Sequence, residues 1–145
     1  MPSGGSAGGG LDEYRWIKCD IHGALNEAEH QPDLKAWKPG AIAFMKAVLA
    51  KKGWGLMLSC GGFRDDGGGK DRAFKEKVDA ALLRQGIDRK NSRIIYSPDD
   101  RYILTINDRG VDFENNWPEL QTLALKMIAE AERTGSPDVA TTFSS

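Results

Sequence analysis

Short apolar segments alternate with helical patterns along most of this chain, and that order restricts the possible folds more than any other feature. Four segments are apolar and rich in β-prone residues, which predicts strands at residues 14–19, 54–59, 93–96 and 102–106. Apolar residues recur at helical spacing in three stretches, at residues 39–53, 74–86 and 117–128. Such alternation is typical of βαβ units. We therefore predict a three-layer α/β/α, Rossmann-like domain built on a parallel sheet.

Both ends of the chain contain few side chains suited to a core. Residues 1–10 are rich in Gly and Ser, and residues 134–145 are mostly polar and begin close to Gly and Pro. We predict a disordered leader over 1–10, one folded domain over 11–133 and a flexible tail over 134–145. A chain of 145 residues suits a single domain. The connections at 26–38 and 61–69 are too short to fold into a cap domain.

Charge and hydropathy narrow the range of partners. A net charge of -1 offers no long-range attraction to nucleic acid, which stays open as a partner only through a local basic groove. Membrane association is not expected, because no apolar run is long enough to span a bilayer and no charged-then-apolar leader opens the chain. We expect a cytoplasmic protein.

Two cysteines, Cys19 and Cys60, stand at the ends of predicted core strands. Neither has a neighbouring Cys or His at metal-ligand spacing, so we expect buried, reduced thiols. A redox pairing stays open, because neighbouring strand ends would bring the two sulfurs close.

Polar residues follow three of the predicted strands. Asp20 ends the first strand, Ser59 the second, and Asn107 and Asp108 follow the fourth. Ligands of open α/β sheets bind at the carboxyl ends of the strands, so we expect these residues to share one crevice. Their oxygens suit Mg²⁺ completed by a substrate phosphate, and a carboxylate can attack phosphorus. Taken singly, Asp20 and the pair Asn107-Asp108 are better explained as turn or cap residues, and the prediction rests on their coincidence at one edge of the sheet.

Further residues near this crevice are candidates for phosphate binding. The small turn at Gly23 would let backbone N–H groups approach a phosphate. Cys60 adjoins Ser59, and Arg64 and Lys70 lie in the loop that follows. A solvated loop of mixed charge is the alternative explanation for the two cations.

These segments resemble the haloacid-dehalogenase-like (HAD-like) hydrolases over nearly all of residues 14–128. KCDIHGAL at 18–25 is similar to the first motif of that family, a strand ending in Asp-x-Asp-Gly-Thr/Val. LMLSCGG at 56–62 is similar to the second motif, a strand ending in Ser or Thr. ILTINDRG at 103–110 is similar to the fourth motif, in which paired acids follow a strand. The short connections resemble those of small, capless, phosphatase-like members.

The resemblance implies a Mg²⁺-dependent phosphohydrolase that forms an aspartyl-phosphate. By position it implies that Asp20 is the nucleophile and a metal ligand, that the Ser59 hydroxyl binds phosphate, and that Asp108 with Asn107 holds the metal. A capless mouth implies a large phosphorylated substrate, such as a protein or a nucleic-acid end, or closure of the site by an oligomer partner. A phosphorylated small molecule stays open as a substrate.

Several positions depart from the family's pattern. His22 replaces the second Asp, the general acid/base, and its ring would serve as proton donor. The resemblance also implies that the backbone carbonyl of His22 is a metal ligand, which needs no particular side chain. Asn107 replaces one of the paired acids. The family's third-motif lysine has no clear counterpart, since that region offers only Arg101 and Lys70 lies elsewhere.

These departures leave alternatives to an efficient phosphatase. Loss of a general acid costs about two to four orders of magnitude in rate, so we expect slow turnover. The alternative is a catalytically attenuated HAD-like binding or structural module that keeps a metal or phosphate pocket. A receiver-like phosphoacceptor domain is a third reading, although it expects paired acids after the first strand, where this chain has Cys19 and Asp20.

Overall fold

Four strands form one parallel sheet in this computed structural model, which describes residues 10–28, 34–59, 69–96, 101–106 and 116–137. They are β1 (Trp16–Asp20), β2 (Gly55–Ser59), β3 (Ile94–Tyr96) and β4 (Leu104–Ile106). Their order across the sheet is β3-β2-β1-β4, so β1 and β2 are central. This arrangement confirms the predicted α/β, Rossmann-like class, and the described residues contain no cap domain.

Three helices connect or follow the strands: α1 (Ala41–Leu49), α2 (Gly69–Arg84) and α3 (Trp117–Thr134). Helix α1 begins two residues after Pro39, the predicted opening residue, because Gly40 adopts a left-handed conformation with φ of 85°. Helix α3 continues six residues beyond the predicted end and stops at Gly135, also left-handed. None of the helices in the described ranges has the length and apolar character needed to cross a membrane.

The core lies on one side of the central strand β1. Ile17 and Cys19 are fully buried, whereas Trp16, Lys18 and Asp20, which alternate with them, are only half-buried. Both core residues belong to a cluster that includes side chains from all three helices. Helix α1 also contacts α3 directly, and the Phe44 and Trp117 rings meet edge to face at 4.9 Å.

Strand β2 is buried on both sides, as predicted for an inner parallel strand. Its first residue, Gly55, lies under the side chain of Arg93, whose guanidinium stacks over the Trp16 ring at 4.1 Å. A Cβ atom at position 55 would overlap the Arg93 carbonyl oxygen and lie 2.8 Å from a Trp16 ring carbon. Glycine is therefore required here for a close approach of strands.

The predicted domain limits can be compared with the described residues only in part. Helix α3 ends at Thr134, one residue past the predicted boundary at 133. Residues 1–9 of the predicted leader and 138–145 of the predicted tail lie outside the described ranges.

Replacing Gly55 by alanine should destabilise the protein by about 1–3 kcal/mol, because the new methyl group cannot be accommodated without moving β3 or Trp16. Urea unfolding followed by circular dichroism measures the change. Gly10→Ala is the matched control, since φ at Gly10 is -60° and alanine adopts it without strain. Equal stability of the two variants would contradict the packing argument.

Candidate functional site

Asp20 and Ser59 meet at the carboxyl ends of the two central strands. The parallel register places them opposite each other, and the Ser59 hydroxyl donates a 2.8 Å hydrogen bond to Asp20 Oδ1. Both side chains are half-buried, and the Ile21 N–H extends the strand pairing by donating to the Ser59 carbonyl at 2.8 Å. A carboxylate and a hydroxyl expected from the sequence to share one crevice are therefore in direct contact.

A tight loop follows Asp20, and several of its backbone N–H groups form hydrogen bonds within the loop. The Leu25 N–H returns to the Asp20 carbonyl at 3.2 Å, and Gly23 has φ of 77°. The Gly23 N–H donates to the carbonyls of Asn26 and Ala28, both at 3.0 Å. The small turn at Gly23 was expected to let backbone N–H groups approach a phosphate, and of these groups the Gly23 N–H is already used within the loop.

His22 projects from the same loop and stacks on Phe74 in the second turn of α2. The ring centroids are 5.2 Å apart and the planes differ by 21°. Phe74 is 1% exposed, whereas His22 is half-buried, so one face of the imidazole rests on the core. This contact brings the N-terminal part of α2 next to the loop that carries Asp20. Lys70 lies in the first turn of that helix, and its side chain is outside the described part.

Asn26 supports the candidate site, a role that was not predicted from the sequence. It is fully buried, and its amide side chain makes three hydrogen bonds to backbone. The Oδ1 atom accepts from the N–H groups of Lys35 (2.8 Å) and Ala28 (3.0 Å), and Nδ2 donates to the Lys35 carbonyl at 3.0 Å. Asn26 thus ties the loop of Asp20 and His22 to the segment at 34–38. An Asn between Leu25 and Glu27 gives no sequence signal for such a role.

The start of α3 lies against the same loop. The Trp117 indole N–H donates to the Ala24 carbonyl at 3.2 Å. Next to it, Asn116 Oδ1 is buried and has no hydrogen-bond partner within the described residues. Most buried polar atoms in proteins have a hydrogen-bond partner, so this oxygen is an acceptor available to a group outside the described residues.

Five of the predicted site residues have side chains that lie outside the described part of the chain. Cys60, Arg64, Asn107 and Asp108 lie outside the described ranges, as does the Lys70 side chain. Strand β4 pairs with β1 up to Ile106 opposite Cys19, so the chain leaves β4 at the sheet edge where Asp20 lies. No three His, Cys, Asp or Glu side chains are grouped for metal binding in the part of the chain that is described. A magnesium site shared by Asp20 and Asp108 therefore stays a prediction.

Arg101 does not lie at this edge. It precedes β4, at the amino ends of the strands, and its guanidinium is 3.8 Å from the Glu13 carboxylate ahead of β1. It therefore cannot replace the missing third-motif lysine near Asp20.

Cys19 is a free, fully buried thiol. Burial raises its pKa far above the usual range, and the adjacent Asp20 carboxylate raises that pKa further. The thiol is therefore protonated and unreactive near neutral pH, as expected for a structural cysteine. Its proposed pairing partner, Cys60, is outside the described residues.

Comparisons with known proteins support the fold and leave the activity unnamed. No family model matches this chain, and no curated protein matches it in sequence. Among solved structures it is similar to a conserved protein from Bacteroides thetaiotaomicron, with a TM-score of 0.54 and 17% identity. The match covers 77% of this chain and 89% of that one. Similarity at this level bears on the fold alone.

Replacing Asn26 by alanine should lower stability by about 2–4 kcal/mol, because three backbone groups lose their partner at a buried position. Thermal and urea unfolding measure the loss. Asn91→Ala, at an exposed position, is the control and should change stability by less than about 0.5 kcal/mol. A small effect at position 26 would mean that the loop is held by other contacts.

Proposed function

We propose that this protein is a HAD-like, Mg²⁺-dependent phosphohydrolase with Asp20 as nucleophile. The proposal is carried by the contact of Asp20 with Ser59, 2.8 Å between Oγ and Oδ1, at the carboxyl ends of adjacent parallel strands. That edge is where open α/β sheets bind ligands. Half-burial leaves the pair reachable by substrate while the hydroxyl orients the carboxylate.

The reaction uses two displacements at phosphorus. The Asp20 carboxylate attacks the phosphoryl group, the bond from phosphorus to the leaving oxygen breaks, and His22 gives that oxygen a proton. Water then attacks the aspartyl-phosphate and gives its proton to His22. Inorganic phosphate leaves, and both side chains return to their starting states. Ser59 turns its hydroxyl from Asp20 to a phosphoryl oxygen as the substrate binds.

Mg²⁺ fits the chemistry of the oxygens at this edge. Asp20 supplies a carboxylate, and the sequence places Asn107 and Asp108 directly after the neighbouring strand β4. At the start of α3, Asn116 Oδ1 is a buried acceptor without a partner among the described residues, and the neighbouring Trp117 contacts the same loop. At position 22 the metal ligand that the resemblance implies is the backbone carbonyl oxygen, which leaves the His22 ring free for the proton-transfer role. When bound, Mg²⁺ would neutralise charge on the phosphoryl group.

Asp20→Asn should abolish phosphatase activity, because the amide cannot form the phosphoenzyme, and the loss should be at least about a hundredfold. Hydrolysis of p-nitrophenyl phosphate with Mg²⁺ measures it. Asp12→Asn is the control, since the Asp12 side chain is 94% exposed and outside the site. An Asp20→Asn variant with full activity would exclude this mechanism.

His22→Asp should raise turnover at least roughly tenfold, because it restores the carboxylic acid that the family uses for proton transfer. The Asn side chain has nearly the same shape as Asp but cannot act as a general acid, so His22→Asn should lower turnover below that of the natural protein. Steady-state kinetics of the two variants make the comparison. Equal rates for both would show that position 22 takes no part in proton transfer.

A catalytically attenuated module is the second candidate function. It is favoured by His22, which replaces the family's second acid and whose ring stacks on Phe74. This alternative expects no turnover with p-nitrophenyl phosphate, together with Mg²⁺-dependent binding of beryllofluoride that Asp20→Asn removes.

A further inference from the structure

A cleft of about 490 Å³ opens where the 34–38 segment meets helices α1 and α2. Its walls come from that segment, from the first turn of α1 and from the end of α2. Asp20, His22 and Ser59 do not line it, so the cleft is distinct from the candidate catalytic site. Its volume lies in the range of small-molecule sites, about 300–1,000 Å³.

Positive charge is concentrated in this cleft. Lys35, Lys38 and Arg84 line it, and none of the described residues along its walls is acidic. The whole chain, in contrast, has a net charge of -1. Lysine and arginine residues that line one small volume favour an anion, and phosphate oxygens accept hydrogen bonds from both kinds of donor.

An aromatic and apolar surface accompanies these cations. Trp37 is half-buried and lines the cleft together with Ile42 and Ala43. A half-buried indole offers a flat apolar surface on which a ring can stack. The cleft therefore combines phosphate recognition with a surface for an aromatic group.

Backbone hydrogen bonds hold the wall that carries Lys35 and Trp37. The buried Asn26 side chain bonds to both backbone groups of Lys35, and the Lys38 N–H donates to the Leu25 carbonyl at 2.8 Å. The Glu27 N–H donates to the Ala36 carbonyl at 2.9 Å. A wall that is ordered before binding loses little conformational entropy when a ligand enters.

We propose that this cleft binds a mononucleotide, with its base stacked on Trp37 and its phosphate between Lys35 and Arg84. An inorganic anion would use the cations and leave the indole and most of the volume unfilled. The inference is independent of the phosphohydrolase proposal, since it concerns other residues and another surface.

Isothermal titration calorimetry with AMP in EDTA tests the inference. AMP should bind the natural protein, and adenosine and inorganic phosphate should each bind more weakly than AMP. The double variant Lys35→Gln/Arg84→Gln should weaken AMP binding at least about tenfold, because two charge-assisted contacts are lost. Lys52→Gln/Lys126→Gln, which removes two exposed cations elsewhere, should leave the affinity unchanged.

Two further variants separate this cleft from the catalytic site. Trp37→Leu should weaken AMP binding and leave inorganic phosphate binding unchanged, with circular dichroism confirming the fold. Asp20→Asn should bind AMP as the natural protein does. The proposal is overturned if AMP does not bind at millimolar concentration, if the cleft variants bind it normally, or if Asp20→Asn abolishes binding. Binding of hexaglutamate in place of AMP would assign the cleft to acidic peptides and overturn it too.

Discussion

At the centre of the sheet, β1 and β2 pair in parallel over five residues, from Trp16 opposite Gly55 to Asp20 opposite Ser59. Side chains alternate between the faces of a strand, so a shift of one residue would turn Cys19 out of the core and Asp20 into it. The close approach at Gly55 favours this register, because no larger residue fits beneath Arg93. The contact between Asp20 and Ser59 is a consequence of that pairing.

Beyond the end of β1, the chain is organised by one buried amide. Asn26 holds the segment that forms a wall of the basic cleft, and it also pairs by a backbone bridge with His22. The loop of the candidate nucleophile and the proposed nucleotide cleft therefore share a structural support. A buried amide whose oxygen and nitrogen both have hydrogen-bond partners favours one loop conformation over its competitors.

The proposed HAD-like chemistry depends on individual side chains at the strand ends, which a shared fold does not determine. A solved structure with 17% identity has a similar fold, yet side chains at strand ends can change while the core that supports them is kept. His22 stands where the HAD-like motif has a second acid, and its stacking on Phe74 gives the ring a defined orientation. Proton transfer by this imidazole is the step that decides between a slow enzyme and a binding module.

The sequence alone determined the α/β class, the four strands of the described residues and the position of Asp20 and Ser59 at strand ends. It could do so because buried residues recur along a strand or a helix with the period of that element. Tertiary structure alone decided the roles of Gly55, Asn26 and Gly23. Their partners, such as Arg93 and Lys35, are distant in sequence or depend on the path of a loop, and no local pattern encodes such contacts. The Gly23 N–H donates to carbonyls of its own loop, and Arg101 lies at the amino ends of the strands, away from Asp20. Both placements depend on hydrogen bonding and strand order between segments that are separate in the sequence.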